Sequence, residues 1–317
     1  MSFPGFDQAV TNNGYAWWYI DGVSDDGRHA VTVIAFIGNV FSPYYHHARR
    51  FAGAGGAPAA NHCAVNVALY GPTRRWSMTE HGSADLAVTP DRYTLAANTL
   101  TWDGEKLVIE LDCRGAPIPR RIRGRIVVEP IAMTPTPLAL DHAGHHQWHP
   151  VAPDSRVQLD LSEPGLSWRG RGYLDHTRGS RALERDFLDW EWSRVNTGVA
   201  SAIHYDTREV GGQERHYALR IDSAGHVTHV DAADWQRLPS TPIWRMPRHA
   251  RSERRASTAV RHTLEDTPFY SRSAIVTQID GRKSHGVHES LSLARFENPL
   301  VRYLLRCKMP RQSRRKA

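Results

Sequence analysis

Four side chains in two short stretches have the types and spacing for proton transfer beside aromatic faces. His146-Gln147-Trp148 sets an imidazole two positions from an indole, and Tyr173-Leu174-Asp175 sets a phenol two positions from a carboxyl. In an extended chain successive side chains alternate between faces, so each pair would project to one side of a strand. If residues 172–177 form a strand, Tyr173 and Asp175 share one face while Leu174 and His176 take the other. An acid, a base and two aromatic rings suit a reaction that passes through a cation: the acid delivers a proton, the ring faces hold the charge and the imidazole handles water. Taken singly each residue has a plainer reading, because Tyr and Trp usually pack in a core or its rim and Asp usually faces water.

Three further histidines, His142, His145 and His149, crowd the first stretch. Neutral imidazoles are good zinc or iron ligands, so a metal site is one alternative. The spacing matches no His-Glu-x-x-His helix, and Gly144 and Pro150 argue against one regular element presenting several ligands together. The expectation is therefore no metal site, the neighbouring histidines serving as scaffold or as part of an ordinary polar linker. The chain also carries no P-loop, no dinucleotide fingerprint and no Gly-x-Ser-x-Gly elbow, which argues against phosphate, nicotinamide and acyl-enzyme chemistry. No cofactor is expected.

The elements that must position these residues read as β-strands. Short alternating runs rich in Val, Ile, Tyr and Trp recur at residues 30–37, 63–70, 106–112, 122–128, 157–161, 199–205, 215–221 and 274–279. Turn signals such as Asp25-Asp26-Gly27, Asp103-Gly104 and Asp280-Gly281 separate some of them, the pattern of antiparallel structure. Helical periodicity is confined to short pieces near residues 231–237 and 291–305. Residues 53–60, rich in Gly, Ala and Pro, read as a loop over the first domain, and the basic stretch 245–262 as another loop. With 317 residues, two domains of about 150 residues each are expected. The proline-rich residues 130–153 mark the connection, giving an N-terminal domain at 1–150, a C-terminal domain at 151–305 and a basic disordered tail at 306–317. The His146 stretch then lies on the linker, where the halves meet. An aromatic entry followed by a strand occurs once per half, at Trp17-Trp18-Tyr19 and at Trp190-Glu191-Trp192. That echo suggests duplication, with coincidence as the alternative.

Forty Lys and Arg against 33 Asp and Glu give a net charge of +7, and six of the basic residues fall in the tail with no acid among them. Such a tail would attract anionic lipid head groups, or nucleic acid without sequence preference; no specific nucleic-acid partner is expected. No apolar run approaches the roughly 20 residues of a spanning helix, and the N-terminus lacks a secretory signal pattern. Cys63, Cys113 and Cys307 form neither a disulfide framework nor a ligand spacing. A cytoplasmic protein is expected, with peripheral association with the cytoplasmic or photosynthetic membrane.

With these residues in place, the chain resembles the carotenoid 1,2-hydratases, the hydroxyneurosporene synthase family of phototrophic bacteria. The resemblance rests on GYAWWYIDG at residues 14–22, FIGNVFSPYY at 36–45, HQWHP at 146–150 and GRGYLDH at 170–176, and it extends over about residues 6–306. One departure is Thr177, where the family motif has Asn. The resemblance implies an all-β fold of two lipocalin-like antiparallel β-barrel domains packed together, with few short helices. It also implies addition of water to the terminal C1–C2 double bond of an acyclic carotenoid such as neurosporene or lycopene. The family's catalytic His-x-Trp and Tyr-x-Asp pairs fall on His146, Trp148, Tyr173 and Asp175. Candidate substrate contacts are the aromatics Trp17, Tyr44, Trp190 and Trp192. On this reading Asp175 protonates C2, Trp148 and Tyr173 offer ring faces to the cation at C1, and His146 positions or deprotonates the attacking water. Two rival functions share the fold: a lipocalin-like carrier that binds an isoprenoid unchanged, and a cofactor-free cyclase or isomerase.

Overall fold

The computed structural model describes residues 3–231, 233–252, 257–279 and 281–312. Its secondary structure is almost wholly antiparallel β, in two units. The first comprises residues 3–139, 145–182 and 303–312 of those described, and the second residues 140–144 and 183–302.

The first unit contains β1 (Tyr15–Ser24), β2 (Ala30–Ile37), β3 (Cys63–Tyr70), β4 (Arg75–His81), β5 (Leu86–Thr89), β6 (Arg92–Leu95), β7 (Asn98–Trp102), β8 (Leu107–Arg114), β9 (Arg121–Ala132), β10 (Leu138–Ala139), β11 (His146–Glu163) and β12 (Leu166–Gly179). Among the described residues these form one sheet in the order β4-β3-β2-β1-β12-β11-β9-β8-β7-β6-β5, with β10 paired to β11. The sheet curls into a nearly closed barrel. Ser77 on β4 donates to the Arg114 carbonyl of β8 at 2.8 Å, and the Tyr93 hydroxyl of β6 donates to the Phe36 carbonyl of β2 at 2.9 Å. Alternating positions drive the curl: Trp18, Ile20, Val33, Val67, Ile109, Leu159 and Leu174 all belong to one buried apolar core.

Helix α1 (Pro43–Phe51) follows β2. Ser42 caps it by accepting from the Tyr44 and Tyr45 amides at 3.1 and 3.0 Å, and Pro43 sits at its first turn, where no amide donor is needed.

The second unit contains β13 (Phe187–Asn196), β14 (Ala200–Glu209), β15 (Glu214–Asp222), β16 (Val227–His229), β17 (Asp234–Leu238), β18 (Arg248–Ser252), β19 (Ala259–Asp266), β20 (Tyr270–Ile279) and β21 (Arg282–Ser292). Their order is β16-β15-β14-β13-β21-β20-β19, with β17 and β18 forming a separate ribbon. Helices α2 (Leu293–Phe296) and α3 (Pro299–Lys308) end the chain's regular structure. No helix among the described residues is long and apolar enough to cross a membrane.

The eight runs placed by alternation all fall on strands; four expectations change. The helix read near 231–237 is strand β17, which pairs with β18 from Asp234 opposite Ser252 to Leu238 opposite Arg248, so partner hydrogen bonds override a weak local period. The basic stretch 245–262 contributes β18 and the start of β19 rather than one loop; residues 253–256, like Asp280 of the third turn, lie outside the described residues. The proline-rich connection is no linker, since residues 130–153 span the end of β9, β10 and the start of β11. β11 absorbs Pro150 and Pro153 where its pairing with β12 shifts register between His149 and Ser155, the irregular positions at which a strand tolerates a missing donor. Position 150 is therefore inside a strand, and the main division falls at 182/183.

The fourth change concerns the tail. Arg306, Cys307 and Lys308 belong to α3, and beyond it the chain docks on the edge strand β4. The Glu80 amide donates to the Pro310 carbonyl and the Gln312 amide to the Glu80 carbonyl, both at 2.9 Å. The Arg311 guanidinium pairs with the Glu80 carboxylate, which is 1% exposed. Residues 313–317 of the expected tail lie outside the described residues.

Candidate active site

Strands β1, β12 and β11 lie side by side, and their register brings the expected residues together. On β1 the positions Ala16, Trp18 and Ile20 enter the barrel core, so Tyr15, Trp17, Tyr19 and Asp21 take the opposite face. Tyr15 stands opposite Gly179, Trp17 opposite Thr177, Tyr19 opposite Asp175 and Asp21 opposite Tyr173. From the other side, His146 stands opposite Gly179 and Trp148 opposite Thr177. Directly opposed residues share a face, so His146, Trp148, Tyr173 and Asp175 come together on one surface of the first unit. They are not shared between two halves, as their place in the sequence suggested. Every side chain of this set is buried, Trp17 being the most exposed at 8%.

Two donors hold the carboxyl of Asp175. The Tyr173 hydroxyl donates to Oδ2 at 2.9 Å and the Trp148 indole N–H donates to the same oxygen at 3.1 Å. The expected pairs are thus joined through their polar edges, with Trp148 and Tyr173 orienting the acid. A side chain that sequence reasoning did not single out holds His146: the Tyr15 hydroxyl lies 2.8 Å from Nδ1, the two rings stack at 5.7 Å, and Tyr15 stacks in turn on Trp17 at 4.8 Å. Between Tyr15 and His146 lies Gly179. A Cβ there would stand 2.5 Å from His146 Nδ1 and 2.5 Å from Tyr15 Cε1, so the hydrogen bond spans the middle strand because this position has no side chain.

The same face carries a second Tyr-x-Asp pair. The Tyr19 hydroxyl donates to Asp21 Oδ2 at 3.2 Å, and the Tyr19 and Tyr173 rings meet edge to face at 6.0 Å. Tyr15, Tyr19 and Asp21 had a legible signal, since Tyr15-x-Trp17-x-Tyr19-x-Asp21 repeats with the period of two that singled out Tyr173 and Asp175.

The neighbouring histidines do other work. His176 points to the core side of β12, its ring 4.9 Å from that of Trp18, and burial pushes its pKa down to about 3. His149 donates to the Thr134 carbonyl at 3.0 Å, and burial lowers its pKa as well. The His142 ring lies 2.6 Å from Glu209, within the second unit. Among the described residues no three His, Cys, Asp or Glu side chains are grouped to hold a metal ion.

The four expected substrate contacts fall on different elements. Trp17 belongs to the face described above. Tyr44 lies on α1, with the guanidinium groups of Arg306 and Arg311 each 6.0 Å from its ring. Trp190 and Trp192 belong to β13 of the second unit, where Trp190 meets Tyr205 edge to face at 6.3 Å.

A curled antiparallel barrel with an oriented carboxyl and a fixed imidazole on one buried face defines a lipocalin-like protein. Solved structures agree on the fold: an AttH protein of Nitrosomonas europaea matches with TM-score 0.59 at 14% identity over 92% of this chain and 96% of that one, and kievitone hydratase from Nectria haematococca with TM-score 0.55 at 8% identity over 91% and 92%. In sequence, residues 33–317 match the model of the carotenoid hydratase CrtC family. The acyclic carotenoid 1,2-hydratase of Thiocapsa roseopersicina is 47% identical over 97% of this chain and 76% of its own length, and that of Rubrivivax gelatinosus 43% identical over 98% and 76%. The chain belongs to the carotenoid hydratase family.

Proposed function

We propose that this protein is a hydro-lyase that adds water across the terminal C1–C2 double bond of an acyclic carotenoid, neurosporene or lycopene, giving the 1-hydroxy carotenoid. The observation that carries the reading is the buried carboxyl of Asp175, held at one oxygen by Trp148 and Tyr173. With both donors orienting the group at Oδ2, the Asp175 carboxyl delivers its proton to C2 of the alkene. The C–H bond at C2 forms from the alkene's π pair, and the positive charge falls on tertiary C1. Water attacks C1 and loses its proton to His146. Return of that proton to Asp175 closes the cycle with one water added and no electrons exchanged, so general acid and base groups cover the chemistry without a cofactor.

For His146 to act as base through Nε2, its ring proton must sit on Nδ1, where the Tyr15 oxygen accepts it. Burial keeps bulk water from the cation, and the ring of Trp17 on the same face supports it, an interaction of about 0.5–2 kcal/mol. The remaining candidate contacts, Tyr44, Trp190 and Trp192, are proposed to bind the polyene. A substrate of this kind resides in the bilayer, so peripheral contact with an anionic membrane surface belongs to the same proposal.

Incubating the purified protein with lycopene or neurosporene and separating the pigments tests the reading. The expected product is heavier by one water, without added cofactor. Pigment recovered bound but unchanged would instead indicate a carrier, and a product of unchanged mass a cyclase or isomerase.

A further inference from the structure

Helix α3 presents an apolar stripe to solvent. Leu300, Tyr303 and Leu304 are 64%, 64% and 39% exposed, and the exposed Cys307 continues the series. Their spacing of three and four residues puts them on one side of the helix, while Val301 is buried on another. A water-facing helix ordinarily shows the reverse arrangement, so a stripe of this kind marks a surface that something covers.

Charge says what covers it. Residues 298–317 contain seven Lys or Arg and no Asp or Glu. Arg306 and Lys308 flank the stripe, and Arg306 reaches to 6.0 Å from the Tyr44 ring of α1. That second helix is likewise free of acidic residues and ends in Arg49, Arg50 and a Phe51 that is 68% exposed. Apolar side chains ringed by cations match the interface of an anionic bilayer, where the apolar face enters the acyl boundary and the cations meet phosphates.

We propose that α3, whose Arg306 lies near Tyr44 at the start of α1, is the element that docks this protein on an anionic lipid surface. The proposal rests on the reading that the substrate is a membrane polyene, and it moves the contact from a disordered tail to a folded helix. Docking takes the stripe out of water by laying α3 in the plane of the head groups.

Cosedimentation with phosphatidylcholine vesicles, with and without phosphatidylglycerol, measures the docking without turnover. The native chain is expected to bind the anionic vesicles at low salt. The combined Leu300→Ser, Tyr303→Ser and Leu304→Ser variant should bind about tenfold more weakly or worse, and Arg306→Gln should lose about fivefold on anionic vesicles only. An environment-sensitive fluorophore on Cys307 of the otherwise native chain should shift to the blue when anionic vesicles are added, a readout that does not depend on the variants folding. No binding by the native chain, undiminished binding by the triple variant, or an unshifted fluorophore overturns the proposal. A dimer in sedimentation equilibrium that the triple variant abolishes, with no vesicle binding, would assign the stripe to a second copy of the chain and also overturn it. Hydration of detergent-dispersed pigment, assayed separately, tests the catalytic reading and is expected to survive the triple substitution.

Discussion

At Asp175 the two donors differ in chemistry, an indole N–H from β11 and a phenol two residues away on β12. Asp175→Asn keeps the shape and removes the transferable proton. Hydration should fall by at least about 10³-fold, the scale of a general-acid contribution, while the melting temperature stays near that of the native chain; near-normal turnover would remove Asp175 from the role of proton donor. Trp148→Phe keeps a ring face but deletes the donor. If Trp148 serves chiefly to orient the acid, Phe and Ala should cost about the same, roughly 10- to 100-fold in kcat. If its ring chiefly holds the cation, Phe should be clearly the better variant. Tyr15→Phe tests the other end of the site: without the phenol oxygen His146 loses its fixed tautomer, and kcat should drop about tenfold with little change in KM.

The site depends on strands that approach closely. Gly179 is the point where β12 lets Tyr15 and His146 meet across it, so Gly179→Ala forces one ring aside. Turnover should fall to at most the level of Tyr15→Phe, and combining the two substitutions should add little, because both break the same bond. A separate constraint holds the end of the chain. The Arg311 guanidinium compensates the buried Glu80 carboxylate and lies 2.9 Å from His62 Nδ1. Arg311→Ala leaves that carboxylate without its guanidinium partner and should destabilise the protein by about 2–4 kcal/mol, with Glu80→Gln in the same chain restoring part of the loss in denaturant titration. No recovery in the double variant would mean that the strap contributes through its backbone pairing to β4 instead.

At the scale of the molecule, buried histidines contribute to the response to acid. Burial pushes both His176 and His204 down to about 3, well below the value of an unfolded imidazole near 6.5. Their folded pKa is depressed, so the unfolded chain takes up protons that the folded chain refuses. Stability is whole above about pH 6.5 and falls as the pH drops from there toward 3, by of order 1 kcal/mol per pH unit for each group. His149 and His216, also lowered by burial, add in the same direction. Urea midpoints between pH 7 and 4.5 should therefore decline steeply, and His176→Leu should flatten the decline by about one proton. An unchanged slope would mean that other groups govern acid unfolding.

Alternation alone located eight of the strands, to the residue at Ala30–Ile37 and Cys63–Tyr70, because a barrel wall must show one face to an apolar core and that demand is written into local sequence. For the same reason the pairs His146-x-Trp148 and Tyr173-x-Asp175 could be read as sharing faces before any contact was known. Local sequence was misleading where a distant partner decides. Prolines that read as a linker are absorbed at a register shift, residues 234–238 become a strand through pairing with β18, and a basic terminus that read as disordered is held as far as Gln312 by the buried Glu80. The register of β1 on β12 and of β12 on β11, which joins an acid to its donors and a base to Tyr15 through the gap at Gly179, is a property of strands far apart in the chain. Only the assembled sheet sets it, since a slip of one residue would turn every one of these side chains to the other face.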